Sequence, residues 1–111
     1  MAFAFGWYYD PIVFGKYPDE MTALVTDGRL PKFTDEEINM VKGSYDYIGF
    51  NTYTSRFVED NPTEIGGMWN TDQKTSESIV DVNGKSIGVK AESNWLYVCP
   101  TGIRGVLNWI S

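Results

Sequence analysis

The sequence contains no histidine and a single cysteine, and its nine Lys and Arg are outnumbered by fifteen Asp and Glu, for a net charge of -6. The missing imidazole excludes Ser-His and Cys-His catalysis within these 111 residues and argues against a zinc site. Cys99 has no partner for an internal disulfide, and its place in the apolar run Trp95-Leu96-Tyr97-Val98-Cys99 predicts a buried structural thiol rather than a nucleophile. The excess of acid argues against nucleic acid or an anionic membrane as partner, because both need clustered Lys and Arg. No apolar run approaches the roughly 20 residues of a membrane span. Met1-Ala2-Phe3-Ala4-Phe5 lacks the basic region and the length of a signal peptide, so the chain as written reads as soluble, with its compartment left open.

What is present is apolar and aromatic. A hydrophobic fraction of 42% and an aromatic fraction of 15% give enough burial to offset chain entropy. Four Trp and seven Tyr suit either a packed core or a surface on which flat rings stack against sugars. A chain of this length is expected to bury about two thirds of its unfolded surface, so the core will be modest.

Local signals set the expected order of elements. Ala2 to Tyr9 reads as the end of a helix that stops at Asp10-Pro11, since proline disfavours helix at the residue before it. Tyr17-Pro18-Asp19-Glu20 starts a short helix that Asp27-Gly28 closes, and Leu30-Pro31-Lys32-Phe33 is an extended linker. Thr34-Asp35-Glu36-Glu37 matches a capping box, and Ile38 and Val41 mark the inner side of the helix that follows to Gly43. The acids in these first turns complement the helix dipole and need no further role.

Tyr45 to Tyr53 is short, aromatic and β-branched, and is the best single strand in the sequence. From Glu59 to Ser93 polarity rises, except that Ile79 to Val82 and Lys85 to Val89 flank Asn83-Gly84, the signal for a hairpin with a type I′ turn. A connection of that length predicts a functional loop or an excursion from a larger fold. Trp95 to Pro100 is expected to be extended and buried, leading into a last helix with Ile103, Val106, Leu107 and Ile110 at helical spacing.

Four stretches in order carry a resemblance. They are Gly6-Trp7-Tyr8-Tyr9-Asp10-Pro11 with Gly15-Lys16-Tyr17-Pro18; Arg29-Leu30-Pro31-Lys32-Phe33-Thr34 with Glu36-Glu37; Val41 through Ser55; and Trp95-Leu96-Tyr97-Val98 with Pro100 and Gly102-Ile103-Arg104. Together they resemble glycoside hydrolase family 1, the β-glucosidase type of (β/α)8 barrel, across almost the whole chain. Thr52 stands where the family often has Tyr, and Tyr45 and Tyr47 replace commoner Phe, departures that leave the fold assignment intact.

The resemblance implies an α/β chain, a partial barrel running from the helix after strand five through strand six and its helix, with residues 1–111 as one segment and 59–93 as its variable loop. Asp46 to Thr54 would be the sixth strand, ending at the catalytic face. The family's retaining chemistry uses two carboxylates about 5 to 5.5 Å apart and needs no metal or organic cofactor. Their usual settings, Thr-Phe-Asn-Glu-Pro and Thr-Glu-Asn-Gly, do not occur in these residues, and Asn61-Pro62-Thr63-Glu64-Ile65 has similar letters in the wrong order, so Glu64 is given no role.

The Asn-x-Tyr of the family does occur, as Asn51 and Tyr53, which a strand would point to one side. By resemblance Tyr53 would donate a hydrogen bond to the nucleophile carboxylate and Asn51 would line the glycone pocket. Trp69 is either a sugar-stacking residue at the rim or an anchor for its loop. The expected function is a piece of a retaining β-glucosidase, inactive alone, acting on a β-glucoside or related sugar. Two alternatives come from other classes: a non-catalytic module that self-associates or docks on complementary barrel fragments through unpaired strand edges, and a small autonomous fold with a lectin-like aromatic face.

Overall fold

The computed structural model describes residues 1–111, which divide into two compact units: residues 1–48 with 63–74, and residues 49–62 with 75–111. No helix is long and apolar enough to cross a membrane.

The first unit is helical. A π-helical turn, Ala2–Gly6, runs directly into α1, Trp7–Phe14. The helix therefore does not stop at Asp10-Pro11 as the sequence predicts. Pro11 lies inside α1 with its ring buried, and that burial offsets the single ladder hydrogen bond proline cannot donate. Termination comes instead at Gly15, whose φ of 77° is the left-handed cap glycine adopts without strain.

Helix α2, Asp19–Leu24, follows Pro18 and buries Met21. Helix α3, Asp35–Val41, begins with the predicted capping box: Thr34 N–H donates to the Glu37 carboxylate at 2.8 Å, and Glu37 N–H donates to Thr34 Oγ1 at 3.2 Å. Ile38 faces inward as expected, close enough that a Cβ added at Gly15 would come within 2.8 Å of its Cγ2. The Gly43 N–H donates to the Ile12 carbonyl at 2.7 Å, fastening the end of α3 to α1. Phe3 and Met21 are buried in this unit along with Pro11, and Tyr17 stacks on Phe33 at 4.7 Å.

The second unit holds four short strands in two antiparallel pairs. β1, Phe57–Asp60, pairs with β2, Thr75–Ser78, in the register Phe57 to Ser78 and Asp60 to Thr75. β3, Val89–Lys90, pairs with β4, Tyr97–Val98. Between β1 and β2 the chain passes through the first unit, where it forms the single turn α4, Trp69–Asp72. The chain ends in α5, Pro100–Ile110.

The strand expected over Tyr45–Tyr53 is not formed. The backbone there is in no ladder, and Tyr47 and Tyr53 are 86% and 71% exposed. A strand is a paired object: without backbone hydrogen bonds to a neighbour, β propensity gives no sheet.

The hairpin around Asn83-Gly84 is present, with Val80 bridging Ser86, but its turn is not type I′. Gly84 has φ of 77° while Asn83 does not have positive φ, and Gly84 N–H donates to the Asp81 carbonyl at 2.9 Å. Asp81 sets this geometry, since its carboxylate accepts from the N–H groups of Asn83 and Lys85 at 2.8 and 2.9 Å. Those bonds hold the Asp81 carboxyl below its usual range, with Lys85 the largest cause.

Candidate functional site

Residues 49–56 form no helix or strand and are held by side chains rather than by a ladder. Thr54 Oγ1 donates to the Tyr97 carbonyl at 2.8 Å and accepts from the Tyr97 N–H at 3.3 Å, so one hydroxyl replaces a strand's pair of hydrogen bonds. Next to it, the Arg56 guanidinium donates to the Trp95 carbonyl at 2.7 Å and lies 6.0 Å over the ring of Tyr97, the buried side chain of this unit.

Tyr53 meets Trp95 edge to face, with ring centroids 6.1 Å apart and planes at 87°. The contact fixes one edge of the Tyr53 ring while most of the side chain stays open to solvent. Asn51, two residues earlier, is also exposed. The two residues singled out in the sequence thus stand in one unit. Tyr53 borders a cavity of about 310 Å³ that Thr52, Leu96, Tyr97, Pro100 and Ile103 help to line.

Cys99 lies on the same cavity and is half-buried rather than buried, because the run that contains it exposes Trp95 and Val98 and buries only Tyr97. Its sulfur is 3.5 Å from the Thr101 hydroxyl, and this bond is the largest cause of a thiol held below its ordinary range. The geometry leaves it a hydrogen-bonded structural thiol at the start of α5.

Trp69 belongs to the other unit, on α4 rather than in irregular loop. With Phe3, Trp7, Met21, Leu30 and Arg29 it lines an apolar cavity of about 80 Å³. This favours its role as an anchor, although its outer face remains exposed.

The anchoring of α4 depends on a pair that sequence spacing does not reveal. Arg29 Nη1 and Nη2 donate to Asp72 Oδ2 and Oδ1 at 2.8 and 2.9 Å, a two-pronged contact across 43 positions. Asp72 is 4% exposed, and its Oδ1 also accepts from the Gly67 N–H at 2.8 Å. Arg29, first, and Gly67, second, hold the Asp72 carboxyl below its ordinary value. Asp27 bonds the other side of the same guanidinium, whose own protonated form is further stabilised by both acids. The only signal in the sequence was that Arg29 opens one of the stretches that carry the resemblance.

Glu64 contributes its backbone carbonyl to the Lys74 ammonium and so helps close the turn around α4.

The family model for glycosyl hydrolase family 1 matches residues 1–111. Among curated proteins, Beta-glucosidase 16 of Arabidopsis thaliana is 45% identical over 106 residues, covering 96% of this chain and 21% of the relative. Oleuropein beta-glucosidase of Olea europaea is 44% identical over 106 residues, covering 95% and 19%. The chain therefore spans about a fifth of the length of the curated relatives it matches.

Among solved structures, a family 1 β-glucosidase of the fungus Humicola insolens in complex with glucose aligns with TM-score 0.87 at 39% identity, over 99% of this chain and 23% of that one. The rice β-glucosidase Os3BGlu6 aligns with TM-score 0.84 at 40% identity, over 98% and 23%. The chain therefore belongs to glycosyl hydrolase family 1.

Proposed function

We propose that these residues form the sixth-strand sector of a retaining β-glucosidase barrel, from the helix after strand five to the helix after strand six, and that they do not hydrolyse glycosides alone. The observation that carries this reading is Asn51-x-Tyr53, next to the Thr54 contact with Tyr97 and with the Tyr53 side chain open, in a chain that matches the family end to end.

In the complete site, Tyr53 donates a hydrogen bond to the nucleophile carboxylate, keeping it ionised and aimed at the anomeric carbon, and Asn51 lines the glycone pocket. The double displacement needs one carboxylic acid to protonate the leaving oxygen and one carboxylate to attack, with no metal or organic cofactor. Neither family segment bearing these groups lies in the 111 residues, so Tyr53 alone has nothing to orient. Names of the relatives, and the glucose held by the Humicola insolens protein, support a β-glucoside as substrate class.

The test is hydrolysis of a chromogenic β-glucoside by the purified chain, with its mass determined in the same preparation. No turnover is expected at any enzyme concentration. Turnover that drops in Tyr53→Phe would place a working carboxylate within these residues and overturn the reading.

A second reading, sugar binding without hydrolysis, is favoured by the exposed Tyr53 and Trp95 rings meeting edge to face. Saturable quenching of tryptophan fluorescence by glucose would support it, and a flat titration would remove it.

A further inference from the structure

Of the seven asparagines in the chain, only Asn83 precedes a glycine, and the pair forms the tip of the hairpin whose turn Asp81 sets. Asn83 and Gly84 are both exposed, and nothing lies within 4 Å of where a Cβ on Gly84 would stand. A side-chain carboxamide that directly precedes a glycine faces a backbone nitrogen no Cβ shields, so the two can close into a cyclic imide.

The folded turn restrains that closure. The Gly84 N–H, whose nitrogen is the attacking atom, donates to the Asp81 carbonyl at 2.9 Å. On either side of it the N–H groups of Asn83 and Lys85 donate to one oxygen, Asp81 Oδ1, at 2.8 and 2.9 Å. Three successive amides are thus fastened to a single residue, and the peptide between Asn83 and Gly84 cannot turn toward the Asn83 side chain until they let go. Asp27-Gly28 is a related pair that is closed to the same chemistry, because its acid is bonded by Arg29, which holds it ionised below its ordinary range, and a carboxylate does not accept a nucleophile.

We infer that Asn83-Gly84 is a self-modification site at the tip of the hairpin and that the Asp81 clasp sets its rate. The Gly84 nitrogen gives up its proton and bonds to the carbonyl carbon of the Asn83 side chain. The bond from that carbon to the side-chain nitrogen breaks, and ammonia leaves with the proton. Water then opens the imide at either carbonyl, its hydroxyl completing a carboxyl group and its proton returning to the Gly84 nitrogen, which leaves aspartate or isoaspartate at position 83. Nothing is oxidised or reduced, and water is the co-reactant. Either product adds a negative charge to a chain already at -6, and isoaspartate, which routes the backbone through the side chain, lengthens the turn and breaks the register in which Val80 bridges Ser86. None of these steps depends on what the chain binds or hydrolyses.

The experiment incubates the full 111-residue chain in mildly alkaline water enriched in heavy oxygen and follows the label by peptide mass spectrometry, with isoaspartate identified by electron-transfer fragmentation. Position 83 should gain label while the other asparagines and Asp27 stay unlabelled over the same period. Asp81→Ala should speed the gain about tenfold, because opening the turn no longer breaks the bonds to the carboxylate. Asp81→Asn, which removes the charge and keeps an acceptor oxygen for the same amides, should stay within about threefold of the natural rate. If Asp81→Ala does not fold, the natural chain unfolded in urea takes its place and should show at least the same acceleration over the folded chain.

Three results would overturn the inference: no label at position 83 in the folded chain when it is labelled in urea, a rate that neither Asp81→Ala nor urea increases, or an Asp81→Asn chain as fast as Asp81→Ala, which would assign the effect to charge rather than to the clasp.

Discussion

Residues 34–43 and residues 45–56 adjoin in sequence and meet their backbone demands in opposite ways. In α3 every terminus is closed from within the unit: the Thr34–Glu37 box at one end, and Gly43 bonded to the Ile12 carbonyl at the other. The aromatic segment that follows has stronger β propensity than any stretch in the chain, yet it has no ladder. A helix can be completed by its own residues and a cap, whereas a strand cannot be completed without a second strand. Near its end one hydroxyl, that of Thr54, bonds both backbone groups of Tyr97 in place of a ladder.

Hydrogen exchange gives the largest expected contrast. Amides of Asp46, Tyr47 and Ile48 should exchange about a hundredfold or more faster than those of Ile38 and Met40, because local opening costs little where no ladder exists. Equal protection would mean that the aromatic segment pairs after all.

Gly15→Ala attacks the seat of α3 rather than α3 itself. The new Cβ must adopt a φ of 77° and lie 2.8 Å from Ile38 Cγ2. A loss of about 2 kcal/mol is expected in urea unfolding followed by far-ultraviolet circular dichroism, combining left-handed strain with overpacking.

Asp72→Asn tests a non-local contact that is complete within the chain. Limited proteolysis between residues 63 and 74 should become about tenfold faster as α4 loosens. The pH dependence has a definite sign. Asp72 has its folded pKa lowered by Arg29, so its stabilising contribution is complete above the ordinary aspartate value of 3.8 and is lost as pH falls through the lowered value. The protection of this stretch should fall in that acid window in the natural sequence and change less in Asp72→Asn.

Thr34→Ala is the mildest. Removing the cap should cost about 1 kcal/mol, read as a lower urea midpoint with α3 still formed. Thr34→Ser, which retains the acceptor, should recover most of it.

These contrasts explain what was legible in the sequence. Thr34 with Glu37, Pro18 before Asp19, and Gly43 act through neighbours a few positions away, and each appears where local chemistry requires it, whereas α2 ends at Leu24, short of the expected Asp27-Gly28. The α5 helix was legible from its period, but the burial of its stripe was not, since period specifies a face and says nothing of what covers it. Pro11 misled because its ring is accommodated by packing, and Asn83-Gly84 misled because Asp81, two residues upstream, selects another turn. Asn51 and Tyr53 were singled out through the family's Asn-x-Tyr, not through any local pattern. Arg29 and Asp72 were not, because a contact across 43 positions leaves no local pattern.

The Arg29–Asp72 contact also works as a stitch. It joins two points of the first unit with α3, the aromatic segment and β1 looped out between them. A protease cut between residues 30 and 71 would therefore open the polypeptide without releasing either end. The nicked molecule should migrate as two pieces when denatured and as one particle when native, so continuity of the covalent chain and integrity of the folded unit are separable properties in this protein.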